Sequence, residues 1–158
     1  MAEMVFVPMT WDAVVDLRSG VAADCYRACA ATPTLVGSME ADTLIEEAEY
    51  AALSYAGVLA LVLNPGSPRL VVAAEVQPGQ LFDLCEPLGE VEVRDLAWTQ
   101  VLALFAEEPS AVEAARLAGQ VVAGQSLGAA LAEPEVGQLL DGYDLLWFAP
   151  VELDRLQC

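Results

Sequence analysis

Several stretches of the chain are apolar without alternation. Met4–Val7 runs into Pro8, Leu145–Ala149 runs into Pro150, and Leu70–Val76, with Glu75 near its end, follows the turn Asn64-Pro65-Gly66-Ser67-Pro68. Short apolar runs bounded by turn residues predict strands covered on both faces. Val91-Glu92-Val93 alternates and predicts a half-exposed strand. Cys25–Ala31 predicts another, closed at Thr32-Pro33, because the residue before a proline is pushed towards extended geometry. Val101–Ala106 fits either a strand or the end of a helix over Leu96–Ala106, and the strand is preferred.

The remaining pattern is helical. Thr10 can cap a helix carrying Trp11, Val14, Val15 and Leu17 to a stop at Ser19-Gly20. Leu44, Ala48, Ala51, Tyr55, Leu59 and Val62 recur at helical spacing, and Thr43 with Glu46 spells a capping box, which predicts a long helix over Asp42–Leu63. Ser110 and Glu113 spell a second box, ahead of a helix reaching Gly124. Pro134 and Pro150 each open a shorter helix. These elements predict an α/β or α+β fold in which a mixed sheet of five to six strands packs against one long helix and several shorter ones. With 158 residues the chain suits one domain, residues 1–158.

The long helix changes character along one stripe. Asp42, Glu46 and Glu49 begin it, and Leu53, Gly57 and Ala60 continue it, so the second half of the helix is apolar all round and must be covered. The cover is either another part of the chain or a partner, and Leu53, Gly57 and Ala60 are therefore the candidate interaction residues. The acidic stripe reads first as a solvated face complementing the helix dipole. Read as chemistry, Asp42, Glu46 and Glu49 are the candidate metal ligands.

Charge narrows the partners. The chain carries 24 Asp and Glu against six basic residues, all scattered arginines, for a net charge of −18. Nucleic acids and anionic membranes would be repelled, which leaves basic proteins and divalent cations as charged partners, and a second copy of the chain only as a cover for the apolar half of the long helix. The apolar stretch Ala51–Leu63 is too short to span a bilayer, and Met1-Ala2-Glu3-Met4 does not resemble a secretory signal, so a cytoplasmic protein is expected.

The chain has no histidine and no lysine. Imidazole-dependent nucleophilic catalysis, lysine Schiff bases and the P-loop lysine are thereby excluded. Gly119, Gly124 and Gly128 fall in or after a helix rather than after a strand, so they predict no phosphate cradle, and no cofactor is expected. Cys25, Cys29, Cys85 and Cys158 match neither a zinc nor a redox spacing, and a strand would hold Cys25 and Cys29 about 13 Å apart, too far for a disulfide. Carboxylate chemistry survives, with Glu46, Glu47, Glu49, Glu107 and Glu108 as its candidates.

Val5-Phe6-Val7-Pro8-Met9-Thr10, Thr32-Pro33-Thr34-Leu35, Glu46–Ala52, Val71–Val76 and Leu145–Ala149 resemble, in that order, an uncharacterised actinobacterial family of short acidic proteins, a domain of unknown function. The chain departs from that pattern at Val36-Gly37-Ser38-Met39, where the family has an aromatic-rich stretch. The resemblance implies a compact cytoplasmic protein and a strand at Val101–Ala106, and it carries over no catalytic residue. The functional expectation is a non-catalytic acidic interaction or regulatory protein that binds another protein. The alternatives are a carboxylate- or metal-dependent enzyme, and an acidic decoy or antitoxin-like protein occupying a basic nucleic-acid-binding surface.

Overall fold

A computed structural model describes residues 2–156. Cys158, and with it one of the four thiols, lies outside the described residues. The chain runs β1 (Glu3–Pro8), α1 (Trp11–Arg18), β2 (Cys25–Cys29), α2 (Pro33–Gly37), α3 (Ile45–Leu63), β3 (Leu70–Val76), β4 (Leu81–Asp83), β5 (Glu90–Arg94), β6 (Val101–Ala106), α4 (Val112–Val122), α5 (Leu127–Leu131), α6 (Pro134–Gly142), β7 (Leu146–Phe148) and α7 (Leu153–Leu156). Among the described residues the strands form one seven-stranded sheet in the order β4-β5-β2-β1-β3-β6-β7.

Every pairing in this sheet is antiparallel, so the expected mixed sheet is corrected to an α+β arrangement. The reason is a single long hairpin. β3 pairs with β6 and β4 pairs with β5 in nearly unbroken register, which makes β3–β4 one arm and β5–β6 the other. Yet β4 and β3 stand first and fifth in the strand order, joined only by Gln77–Gln80. Four flat strand spacings would need about 19 Å. The step from Val76 to Leu81 reaches roughly 17 Å when fully extended, and less with a 3₁₀ turn in it. The sheet is therefore rolled. The hairpin bends at the 3₁₀ turns Pro78–Gln80 and Trp98–Gln100, and β1 and β2 fill the angle.

Each face of the sheet carries its own core. On one face Val5, Val7, Val72, Ala74, Val91 and Val93 meet Val14 and Leu17 of α1 and Leu153 of α7. On the other, Phe6, Cys29, Val71, Ala73 and Ala103 meet α3, and behind α3 lie Ala115 and Ala118 of α4, Leu127 of α5 and Val136 and Leu139 of α6. This second layer explains why α3 becomes apolar all round: its last turns are buried between sheet and helices.

Thr10 caps α1 as the sequence predicts, its Oγ1 accepting from the Ala13 N–H at 3.1 Å. The two capping boxes do not form. Thr43 is drawn into a turn in which its N–H bonds the Glu40 carbonyl, α3 starts at Ile45, and its N-cap is Leu44 with no side-chain bond. Ser110 falls inside the 3₁₀ turn Pro109–Ala111 and donates to Glu108 at 2.7 Å, while Glu113 pairs with Arg116. β7 is a short exposed edge strand, not the buried strand expected for Leu145–Ala149. α2, α5 and β4 were not anticipated. Thr32 and Ser126 cap the two helices, and β4 is too short and exposed to leave a pattern.

Candidate functional site

The helices behind α3 cover its C-terminal half and leave its N-terminal half beside an open cavity of about 690 Å³. The floor is the sheet: Met4 and Phe6 of β1, Ala73 of β3, and Leu102, Ala103 and Phe105 of β6. Ala73 pairs with Ala103 and Ala74 with Val101, so Leu102 is the extra residue of a β-bulge. A bulge turns consecutive side chains towards one face, and Leu102 and Ala103 both line the cavity. One wall is α3, through Glu46, Glu49, Tyr50, Leu53 and Ser54. The other is the segment leaving α6, with Tyr143, Asp144, Leu145 and Trp147. The Tyr50 hydroxyl donates to Asp144 Oδ1 at 3.3 Å and bridges the walls.

Arg69 closes the end of the cavity nearest the middle of α3. Its side chain is 2% exposed and Glu107 is 1% exposed. Glu107 Oε2 accepts from Arg69 Nε at 2.8 Å and from the Arg69 backbone N–H at 3.1 Å, and Oε1 accepts from Nη2 at 2.6 Å. The Glu107 N–H returns a bond to the Arg69 carbonyl, so the pair extends the β3–β6 ladder. A bidentate arginine–carboxylate pair of this kind is charge-compensated, and removing either partner alone would strand a buried charge. Among the described residues the net charge of the cavity lining is then set by Glu46, Glu49 and Asp144, with no free cation opposing them. A second depression shares Met4 and Glu49 and adds Glu3, Glu75 and Asp83, continuing the acidic surface.

The residues singled out by sequence are divided by the structure. Of the candidate interaction stripe, Ala60 is buried and Gly57 lies under Leu145 and Arg69 of the same chain, while Leu53 lines the cavity. Of the candidate metal ligands, Glu46 and Glu49 share the cavity, and Asp42 lies in the turn before α3. Among the described residues no three His, Cys, Asp or Glu side chains are gathered as a metal site. Glu107 is committed to Arg69, and Glu108 accepts from Ser110. Sequence reasoning did not bring Arg69, Tyr143, Asp144 and Trp147 to this site. A signal for the ion pair was present: Arg69 precedes one apolar strand and Glu107 follows another, and antiparallel pairing of those strands brings the two together.

Cys25, Cys29 and Cys85 are free thiols. Cys29 is fully buried in the core beneath α3, and burial, helped by the nearby Glu90 carboxylate, pushes its thiol up to about 12. It is an inert packing residue.

The family model of DUF6912, a family of unknown function, matches residues 4–156. The chain belongs to the DUF6912 family. The DUF6912 match takes in every cavity residue from Met4 to Trp147. No curated protein and no solved structure matches the chain. The site in this DUF6912 member thus rests on its own geometry: an aromatic and aliphatic cleft, an acidic lining and one buried, paired arginine. Among the described residues no helix is long and apolar enough to cross a membrane.

Proposed function

We propose that the protein is a non-catalytic binding protein, and that the cavity between α3 and the Tyr143–Trp147 segment takes a positively charged, partly apolar group presented by a protein partner. One observation carries the reading: Glu46, Glu49 and Asp144 line a cleft whose other walls are Phe6, Leu53, Phe105, Tyr143 and Trp147, and the cleft's sole arginine is already neutralised by Glu107. Carboxylates attract a cation, and aromatic faces add cation–π attraction while burying its apolar stem. A basic side chain next to an aromatic one meets both requirements. The same acidity that repels phosphate backbones favours a basic protein surface. The free thiols Cys25, Cys29 and Cys85 fit a cytoplasmic setting.

Trp147 lines the cavity and is 59% exposed, so it reports occupancy. Its fluorescence is titrated with phenethylamine, 2-phenylethanol and phenylacetate, with Trp147→Phe identifying the signal. The amine should give a saturable change that Glu46→Gln/Glu49→Gln weakens and added salt diminishes, and the acid should bind at least tenfold more weakly. Equal binding of amine and acid, or no saturable change with the amine, would overturn the reading.

A further inference from the structure

Arg69 has one nitrogen to spare. Nε and Nη2 are taken by Glu107, whereas Nη1 has no acceptor among the described residues. Nη1 is nevertheless not sealed off, because the only fully buried side-chain nitrogen or oxygen without a partner among the described residues is Gln125 Oε1. Arg69 lines the cavity and is held rigidly by its three bonds to Glu107, and Nη1 lies 3.9 Å from where a Cβ on Gly57 would sit. A donor preorganised in this way in a cleft is a recognition group: ligand binding need not order it.

Resting on the binding reading above, we infer that Arg69 Nη1 donates to a main-chain carbonyl of the bound partner rather than to an anion, so that the cavity reads a peptide segment along α3. Charge selects the acceptor. Glu107 already compensates the guanidinium, and a carboxylate would have to enter past the like-charged Glu46, Glu49 and Asp144, in a lining whose described residues hold no free cation to balance it. A neutral carbonyl avoids that repulsion and accepts from one of the two Nη1 N–H groups. Length sets the direction. Glu46 and Gly57 lie about 16 Å apart along the helix axis at the α-helical rise, so the carbonyl end and the cationic end of the ligand are separated by an apolar middle. That middle passes Tyr50, Leu53, Phe105 and Trp147.

The test uses the full chain and two probes. N-acetylphenylalanylagmatine carries an acetyl carbonyl and a guanidinium at opposite ends, and 3-phenylpropanoylagmatine is the same molecule without its acetamido group. Wild-type protein should bind the acetylated probe about tenfold more tightly, the worth of a hydrogen bond to a charged donor. That ratio should fall to near one in Arg69→Lys, which keeps the charge opposite Glu107 but lacks the spare nitrogen. Should the lysine variant fail to fold, Arg69→Met/Glu107→Gln removes the pair as a unit and should give the same loss. If both probes bind wild type equally, the role of Nη1 is overturned while the binding reading stands. If neither binds, the binding reading falls with it.

Discussion

Gln80 and Gln100 clasp each other across the bend of the long hairpin. Gln100 Nε2 donates to Gln80 Oε1 at 2.7 Å, and Gln80 Nε2 donates to Gln100 Oε1 at 3.1 Å. Each Oε1 also accepts from the residue opening its own 3₁₀ turn, Gln77 N–H at 3.0 Å and Ala97 N–H at 3.1 Å. Gln80 further reaches the carbonyls of Arg94 and Asp95, the latter in the left-handed region with φ 56°. One pair of amides therefore ties together both arms of the hairpin where the sheet must turn.

Gln100→Leu should accordingly cost about 1–2 kcal/mol, more than an ordinary surface substitution, because it removes both amide–amide bonds to Gln80 and leaves the Ala97 N–H without its acceptor. Urea unfolding of Gln80→Leu, Gln100→Leu and the double variant measures it. The two changes should be clearly non-additive, and full additivity would show that the clasp does not couple the turns.

Two glycines should respond in opposite directions to alanine. Gly57 is in the interior of α3, and a Cβ there meets Leu145 Cδ1 at 3.5 Å and Arg69 Cδ at 3.6 Å, ordinary contacts. Gly57→Ala should raise stability by up to about 1 kcal/mol through helix propensity. Gly89 has φ 77°, and a Cβ there would lie 2.3 Å from the Ala30 carbonyl oxygen. The Gly89 carbonyl also accepts from the Ala30 N–H, so the clash cannot relax without parting that contact. Gly89→Ala should cost at least about 2 kcal/mol. Thermal melts of the two variants beside wild type decide both signs.

Cys29 should make the fold sensitive to alkali. Its thiol stands at 9.0 when unperturbed and is pushed up to about 12 in the core. A group whose pKa is raised by folding contributes stability that is fully present below pH 9 and lost as pH rises from 9 towards 12, at about 1.4 kcal/mol per pH unit. Urea midpoints at pH 8 and pH 10 should therefore differ more in wild type than in Cys29→Ala. Native protein treated with iodoacetamide at pH 8 should be alkylated at the exposed Cys25 and Cys85 but not at Cys29, as read by mass spectrometry. Rapid labelling of Cys29, or identical pH responses of the two proteins, would contradict its burial.

Six of the seven strands and the start of α1 were legible in the sequence, because each depends on neighbours a few residues apart. Pro8 ends β1, Thr10 caps α1, and the five consecutive apolar residues Leu70–Ala74 leave no solvent face. The capping boxes misled because the same side chains had another local use: Thr43 was claimed by a turn and Ser110 by a 3₁₀ turn. The rolled sheet was illegible, since the pairing of β3 with β6 joins residues far apart and the bend is held by two amides that carry no pattern. The stripe of α3 shows the division most clearly. Its change from acidic to apolar demanded a cover, but only the packing of α4, α5 and Leu145 decided that Gly57 and Ala60 are closed within the chain and Leu53 is left beside a cavity. Periodicity records which side chains avoid water. What they meet instead is settled by contacts between distant segments, and those depend on the whole chain folding at once.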